Sequence, residues 1–233
     1  TVSTYAQEEA EPAPTFSVAG SVDTYFRSSE AAPGTSFANL PGFSMGMANI
    51  IMSYEGEKSG FVADLVYGPR GADAVFNSTG SANIVNQLYA YFNLSDSFTL
   101  TMGNFNTFLG YEVISPVANF NYSTSYMFSY GPFSHSGIKA DLALSDDASL
   151  MLGVLNSTDY TESQPIGEDF MIGVQLGLFG QYINYLGGGT AGVSQYQLTP
   201  AASYIWPRIS DNDPTPCLKQ GVPFCSTNSG VCV

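Results

Sequence analysis

The chain has 233 residues, of which 44% are apolar, 14% aromatic and only 11% charged, with a formal net charge of −14. Twenty acidic residues against six basic ones argue against a nucleic-acid partner, which needs clustered Lys and Arg to neutralise phosphates. No apolar run approaches the ~20 residues of a spanning helix, and the aromatic content argues against disorder.

Residues 1–14 are polar, acidic and Pro-containing and read as a disordered lead-in, with a small-residue cleavage site expected near Ala6. Residues 15–29 alternate strictly. Phe16, Val18, Val22 and Phe26 share one face, and Ser17, Ser21, Asp23 and Arg27 the other. Period two over this length predicts a strand. It is longer than the ~5–6 residues usual in soluble sheets and nearer the ~9–11 of a tilted membrane strand. After a Gly/Pro/Ser loop come a strand over 43–55, a short turn, and a strand over 61–67 with Asp64 on its polar face. A longer loop carries Arg70 and Asp73, and strands follow over 83–94 and from Phe98 to Gly103.

An aromatic stretch then leads to a predicted strand around Tyr126, Phe128 and Tyr130, ended by Gly131-Pro132. His135 is placed in a turn, solvated or at a lumen edge. Ile138, Ala140, Leu142 and Leu144 oppose Gly137, Lys139 and Asp141, and further strands are expected over 150–154, 170–178, 182–186 and 196–206. The Gly-rich stretch 187–194 reads as a loop. Residues 207–233 lose the alternation and hold four prolines and all three cysteines.

Short turns near 57, 96, 146 and 180 alternate with longer loops near 35, 75, 113, 162 and 190. That asymmetry is the pattern of outer-membrane barrels. The non-apolar face is Ser, Thr, Asn, Gln, Tyr and Gly with few charges, unlike the Lys and Glu of a soluble sandwich. The expected architecture is an all-β, transmembrane, antiparallel up-and-down barrel of about ten to twelve strands over 15–206, followed by an irregular tail over 207–233.

One region carries a family likeness. Gly103-Asn104-Phe105 runs into Leu109-Gly110-Tyr111-Glu112, Asn119-Phe120 precedes Tyr122-Ser123-Thr124-Ser125, and Gly131-Pro132-Phe133 precedes His135-Ser136-Gly137. Leu142 to Asp146 then leads to Leu152-Gly153-Val154. In this order the pieces resemble the OmpL-like β-barrel porins of Gram-negative outer membranes, over roughly 15–190 and most sharply over 102–156. The resemblance implies an outer-membrane channel and no defined catalytic or ligand set. Such porins are longer chains with more strands, so an incomplete larger barrel is the accompanying expectation.

No reacting constellation stands out. His135 is the only histidine, and abundant serine gives a Ser-His-Asp search no specificity. Cys217, Cys225 and Cys232 lack a zinc-type pair. Asp211-Asn212-Asp213 lacks the Gly and closing Glu of a calcium loop, and Gly187-Gly188-Gly189-Thr190 has no Lys for a phosphate loop. The expectation is therefore no catalytic residues, no metal and no cofactor.

The charges on polar strand faces, Asp23, Arg27, Asp64, Lys139 and Asp141, are the lumen and selectivity candidates, because such groups are costly against lipid and select solutes when they face a pore. Tyr54, Tyr67, Tyr126 and Tyr130 are candidate interface anchors. The stretch 110–123 is too aromatic to be left in water. Tyr111, Glu112, Asn119 and Phe120 are its constriction candidates. The leading functional reading is a porin of the bacterial outer membrane passing small hydrophilic solutes or ions, in contact with outer-membrane lipid and with a homo-oligomer left open. The alternatives are a narrow structural or adhesive barrel with partner-binding loops, and a soluble secreted carbohydrate-binding β-sandwich.

Overall fold

The computed structural model describes residues 14–28 and 40–189, together with the backbone of four short strands further on. Among the described residues thirteen strands occur in order: β1 (Thr15–Arg27), β2 (Gly42–Glu55), β3 (Ser59–Tyr67), β4 (Val85–Ser95), β5 (Phe98–Asn106), β6 (Ser134–Ser145), β7 (Ala148–Leu155), β8 (Met171–Leu178), β9 (Gln181–Gly188), β10 (Ser194–Thr199), β11 (Tyr204–Arg208), β12 (Cys225–Ser226) and β13 (Val231–Cys232). The first eleven form a single sheet in which each strand pairs only with its neighbours in sequence, always antiparallel. This up-and-down order is not the pair of stacked sheets that a sandwich requires. No pairing joins β1 to β11 among the described residues.

The pairings carry a continuous apolar row across the outer face. Phe16, Tyr54, Phe61, Ala90, Met102, Ile138, Val154 and Ile172 are successive register partners from β1 to β8. The large members lie open: Phe16 is 58% exposed, Met102 69% and Ile172 46%. The opposite face buries polar groups, with Asn49, Asp64, Asn86, Thr101, Asn104 and Asn184 all at 5% exposure or less. A soluble domain does the reverse.

Two elements fill the concave side. The β3–β4 connection contains helix α1 (Pro69–Ala74), and the long β5–β6 connection contains helix α2 (Tyr126–Ser129). The β5–β6 connection reaches from the Tyr122 hydroxyl at Asp23 on β1 to the Phe108 carbonyl at Gln175 on β8. Met47, Val66, Ala74, Val75, Ile114, Phe128 and Phe133 form one buried cluster that packs the connection against the wall, and Phe105, Leu109, Leu155, Met171 and Leu186 another.

Three expectations are corrected here. Residues 126–129 are helical rather than extended, because the Ser125 side chain caps the turn by accepting the Phe128 N–H. His135 is not solvated: it lies in β6 with no exposed surface, under the Phe108 ring. The last expected strand is two strands, β10 and β11, on either side of Pro200, and proline cannot donate to a ladder. In addition, β9 runs through Gly188, so the Gly-rich loop is shorter than expected. Residues 1–13 and the 211–213 acidic triplet lie outside the described residues.

A lipid-facing outer row predicts an asymmetry between neighbouring residues of one strand. Leu88→Arg, on the outer face of β4, is expected to cost about 2–4 kcal/mol of folding stability in bilayers. Gln87→Arg, on the inner face, is expected to cost much less. Equal losses in denaturant titrations from lipid vesicles would contradict the assignment of faces.

Candidate functional site

The inner wall is organised by a belt of hydrogen bonds that crosses six consecutive strands. The Ser21 N–H and hydroxyl donate to Asn49 Oδ1 at 3.0 and 2.6 Å. Asn49 Nδ2 donates to Asp64 Oδ1 at 3.2 Å, and Asn86 Nδ2 to Asp64 Oδ2 at 2.7 Å. Asn104 Nδ2 donates to the Asn86 carbonyl at 2.7 Å, and Ser136 Oγ to Asn104 Oδ1 at 3.0 Å. Asp64 thus sits mid-belt with each carboxylate oxygen engaged by an amide, as a buried charge must be.

A bulge admits Asn86 to the belt, and a glycine stands beside Asn104. Register slips between Asp64 and Leu65, leaving Asn86 as the extra residue of a bulge on β4. Bulges re-aim side chains in this way. Gly103 has φ 136°, and a Cβ there would lie 2.2 Å from the Leu88 carbonyl oxygen. Only glycine takes that conformation at low cost, and it lets β5 lie close against β4 beside Asn104.

A second constellation ties the filling segment to the wall. Asp23 accepts the Met47 N–H at 2.6 Å on one oxygen and the Tyr122 hydroxyl at 2.5 Å on the other. Gly46 is required opposite, since a Cβ there would fall 1.8 Å from Asp23 Oδ2. Arg70, only 1% exposed on α1, donates Nε to the Ile114 carbonyl at 2.8 Å and Nη1 to the Tyr122 carbonyl at 3.3 Å, with its guanidinium 5.6 Å from the Tyr122 ring centre. Burial pushes Arg70 below its ordinary pKa, opposed by the Asp23 carboxylate. Burial and the bond to Asp23 push the Tyr122 phenol upward, so it stays a donor at neutral pH.

The remaining sequence-predicted residues fall into separate places. Lys139 and Asp141 pair with each other at 2.7 Å on β6, and Lys139 lies 5.4 Å from the Phe105 ring centre. Arg27 is half-buried at the end of β1. Glu112 accepts the Ser125 N–H at 2.9 Å and also the Ser125 hydroxyl. Asn119 makes a two-way clamp with Val113, accepting its N–H at 2.8 Å and donating to its carbonyl at 2.6 Å. Tyr111 and Phe120 are exposed, and Ile114 takes the buried position of the stretch. Sequence reasoning missed Arg70, the five belt residues Ser21, Asn49, Asn86, Asn104 and Ser136, and the donor Tyr122.

At the rim, Asp159 clamps the start of β6. Its Oδ1 accepts the Phe133 and Ser134 N–H groups at 2.6 and 3.0 Å, and its own N–H donates to the Ser134 carbonyl. Burial raises its carboxyl to about 6 despite those two bonds. Thr79 on the β3–β4 connection donates its N–H and hydroxyl to Glu162 on the β7–β8 connection. No group of three or more His, Cys, Asp or Glu side chains is placed to hold a metal among the described residues.

Residues 15–206 match the model of the family described as putative beta-barrel porin-2, OmpL-like. A search of curated proteins gives no match. Porin families are generally non-enzymatic.

Two outcomes test these contacts. Arg70→Met leaves the Ile114 and Tyr122 carbonyls without their cationic donor, a loss of about 1.5–3 kcal/mol. Backbone amides over 112–123 should then exchange with deuterium about 10–100 times faster, and unchanged exchange would contradict the anchoring role. For Asp159, the folded pKa of about 6 exceeds the unfolded value of 3.8. Its contribution is therefore full below pH 3.8 and lost as pH rises through 6, a swing of about 3 kcal/mol. Asp159→Asn should abolish the fall in the protection of the Phe133 and Ser134 amides between pH 4 and 7.5; a persisting fall would assign it elsewhere.

Proposed function

The chain belongs to the OmpL-like β-barrel porin family, and on that premise we propose that it forms a passive outer-membrane channel for small hydrophilic solutes or ions. The observation that carries this reading is the inversion of the sheet: an apolar row outside and a hydrogen-bonded polar wall inside. Solutes move down their gradient along that wall, and no reacting group or cofactor is needed. The net charge of −14 favours cations over anions at the mouth.

We assign the constriction to the β5–β6 connection. Arg70 and Asp23 hold it by the Ile114 carbonyl and the two ends of Tyr122, and Glu112 and Asn119 brace it internally. Within the proposal, Asp64, Lys139 and Asp141 shape the field along the wall, with Asp23 committed to the anchor and Arg27 at the strand end. The same filling favours a second reading, a closed structural barrel, because barrels of ~8 strands are filled by side chains and those of 16–18 are open.

Planar-bilayer recordings of the purified protein separate the two. The channel reading predicts discrete conductance steps in the native chain and larger steps when residues 117–121 are deleted. Steps that are absent from both proteins would refute the channel and leave the closed barrel. Native-sized steps in the deletion would remove the constriction from this segment.

A further inference from the structure

A hollow of about 320 Å³ opens on the inner wall of β4, β5 and β6, and its lining includes Gln87, Tyr89, Tyr91, Asn106, Phe108 and Lys139. The register explains why the space is empty. Gly103 pairs with Tyr89 on one side and Gly137 on the other. On β5 and β6, therefore, no side chain stands between the row Tyr91, Thr101 and Lys139 and the row that holds Phe105 and His135, and from β4 only Tyr89 reaches into that row. Gly103 is held to glycine by its φ of 136°, so the hollow is fixed by the backbone.

The chemistry of the lining is specific. Tyr89 and Tyr91 offer ring faces and hydroxyls, and Phe108 offers an apolar wall. Asn106 contributes its side-chain amide to the lining. Gln87 Oε1 accepts the Asn106 N–H at 3.2 Å, which leaves its amide NH₂ to donate. The one cation, Lys139, is neutralised by Asp141 at 2.7 Å. Aromatic faces, amide groups and no net charge suit a ring with apolar C–H faces and a rim of hydroxyls. The volume sits at the small end of the ~300–1,000 Å³ range of ligand sites.

We propose that this cavity is a binding subsite for a neutral, polyhydroxylated solute of monosaccharide size. The inference deepens the channel reading and rests on it for the subsite to lie on a solute path. Ring stacking on Tyr91 and Tyr89 orients the solute, and its hydroxyls accept from the Gln87 amide.

Saturation-transfer NMR on the detergent-solubilised full chain tests it, with methyl α-D-glucopyranoside as the probe and D-gluconate as its anionic counterpart. Transfer to the glucoside ring protons is expected, and Tyr91→Ala should weaken binding about fivefold or more. Tyr91→Phe, which keeps the ring, should retain most of it, and Phe92→Ala, on the outer face, all of it. If Tyr91→Ala does not fold, Gln87→Ala serves in its place. Absent transfer, or equal effects of the inner and outer substitutions, would overturn the proposal, as would tighter binding of gluconate than of the glucoside. The measurement needs no conduction: a chain that binds the glucoside yet passes no current refutes the channel and leaves the subsite, and a conducting chain that does not bind it does the reverse.

Discussion

The constraint on which this structure depends is that a sheet in lipid has no water to satisfy its backbone or to receive its polar side chains. Neighbour-to-neighbour antiparallel pairing satisfies the backbone strand by strand, and the pleat sends alternate side chains to opposite solvents. The row from Phe16 to Ile172 is one consequence. The belt from Ser21 to Ser136 is the other. Polar groups that cannot face outward must find partners inside, and because their partners sit on adjacent strands, the belt fixes register as well as satisfying charge. Asp64 shows the economy of this, since its two amide donors come from the strands on either side of β3.

The same constraint governs the filling segment. A 27-residue stretch inside a barrel adds carbonyls and N–H groups that need partners. Arg70 serves two carbonyls, and Asp23 takes a hydroxyl from the segment and an N–H from the wall. Asn119 and Glu112 close its internal turns. Ile114 and Phe128 join wall residues in an apolar cluster, so the segment is docked by packing as well as by hydrogen bonds. Where glycines at 103 and 137 leave the wall bare, a hollow remains.

Much of the fold was legible because alternation is a direct readout of a two-faced strand. The boundaries of β1 to β3 and the alternation of short turns with long loops follow from it. What stayed hidden were the places where alternation is broken for a reason. By parity Asn86 belongs with Leu88, and Asn104 with Met102, on the apolar side; a bulge re-aims Asn86 toward Asp64, and Asn104 is buried in its bonds to the Asn86 carbonyl and Ser136. Tyr126, Phe128 and Tyr130 have the spacing of a strand, and a single Ser125 cap makes them a helical turn. Arg70 lay in a loop whose interior destination has no local signal. Asp23, Asp64, Lys139 and Asp141 were selected on face alone, which could not reveal that the first two are held by amides and a phenol and the last two by each other.

The most direct test of the inverted sheet uses the absence of cysteine before Cys217. With the three native cysteines changed to serine, single cysteines placed at each position from 87 to 93 in β4, in a chain reconstituted in vesicles, are exposed to a membrane-impermeant, water-soluble thiol reagent. Labelling is predicted to alternate, strong at 87, 89, 91 and 93 and weak at 88, 90 and 92. Uniform labelling, or the opposite phase, would contradict a polar wall inside and an apolar face against lipid.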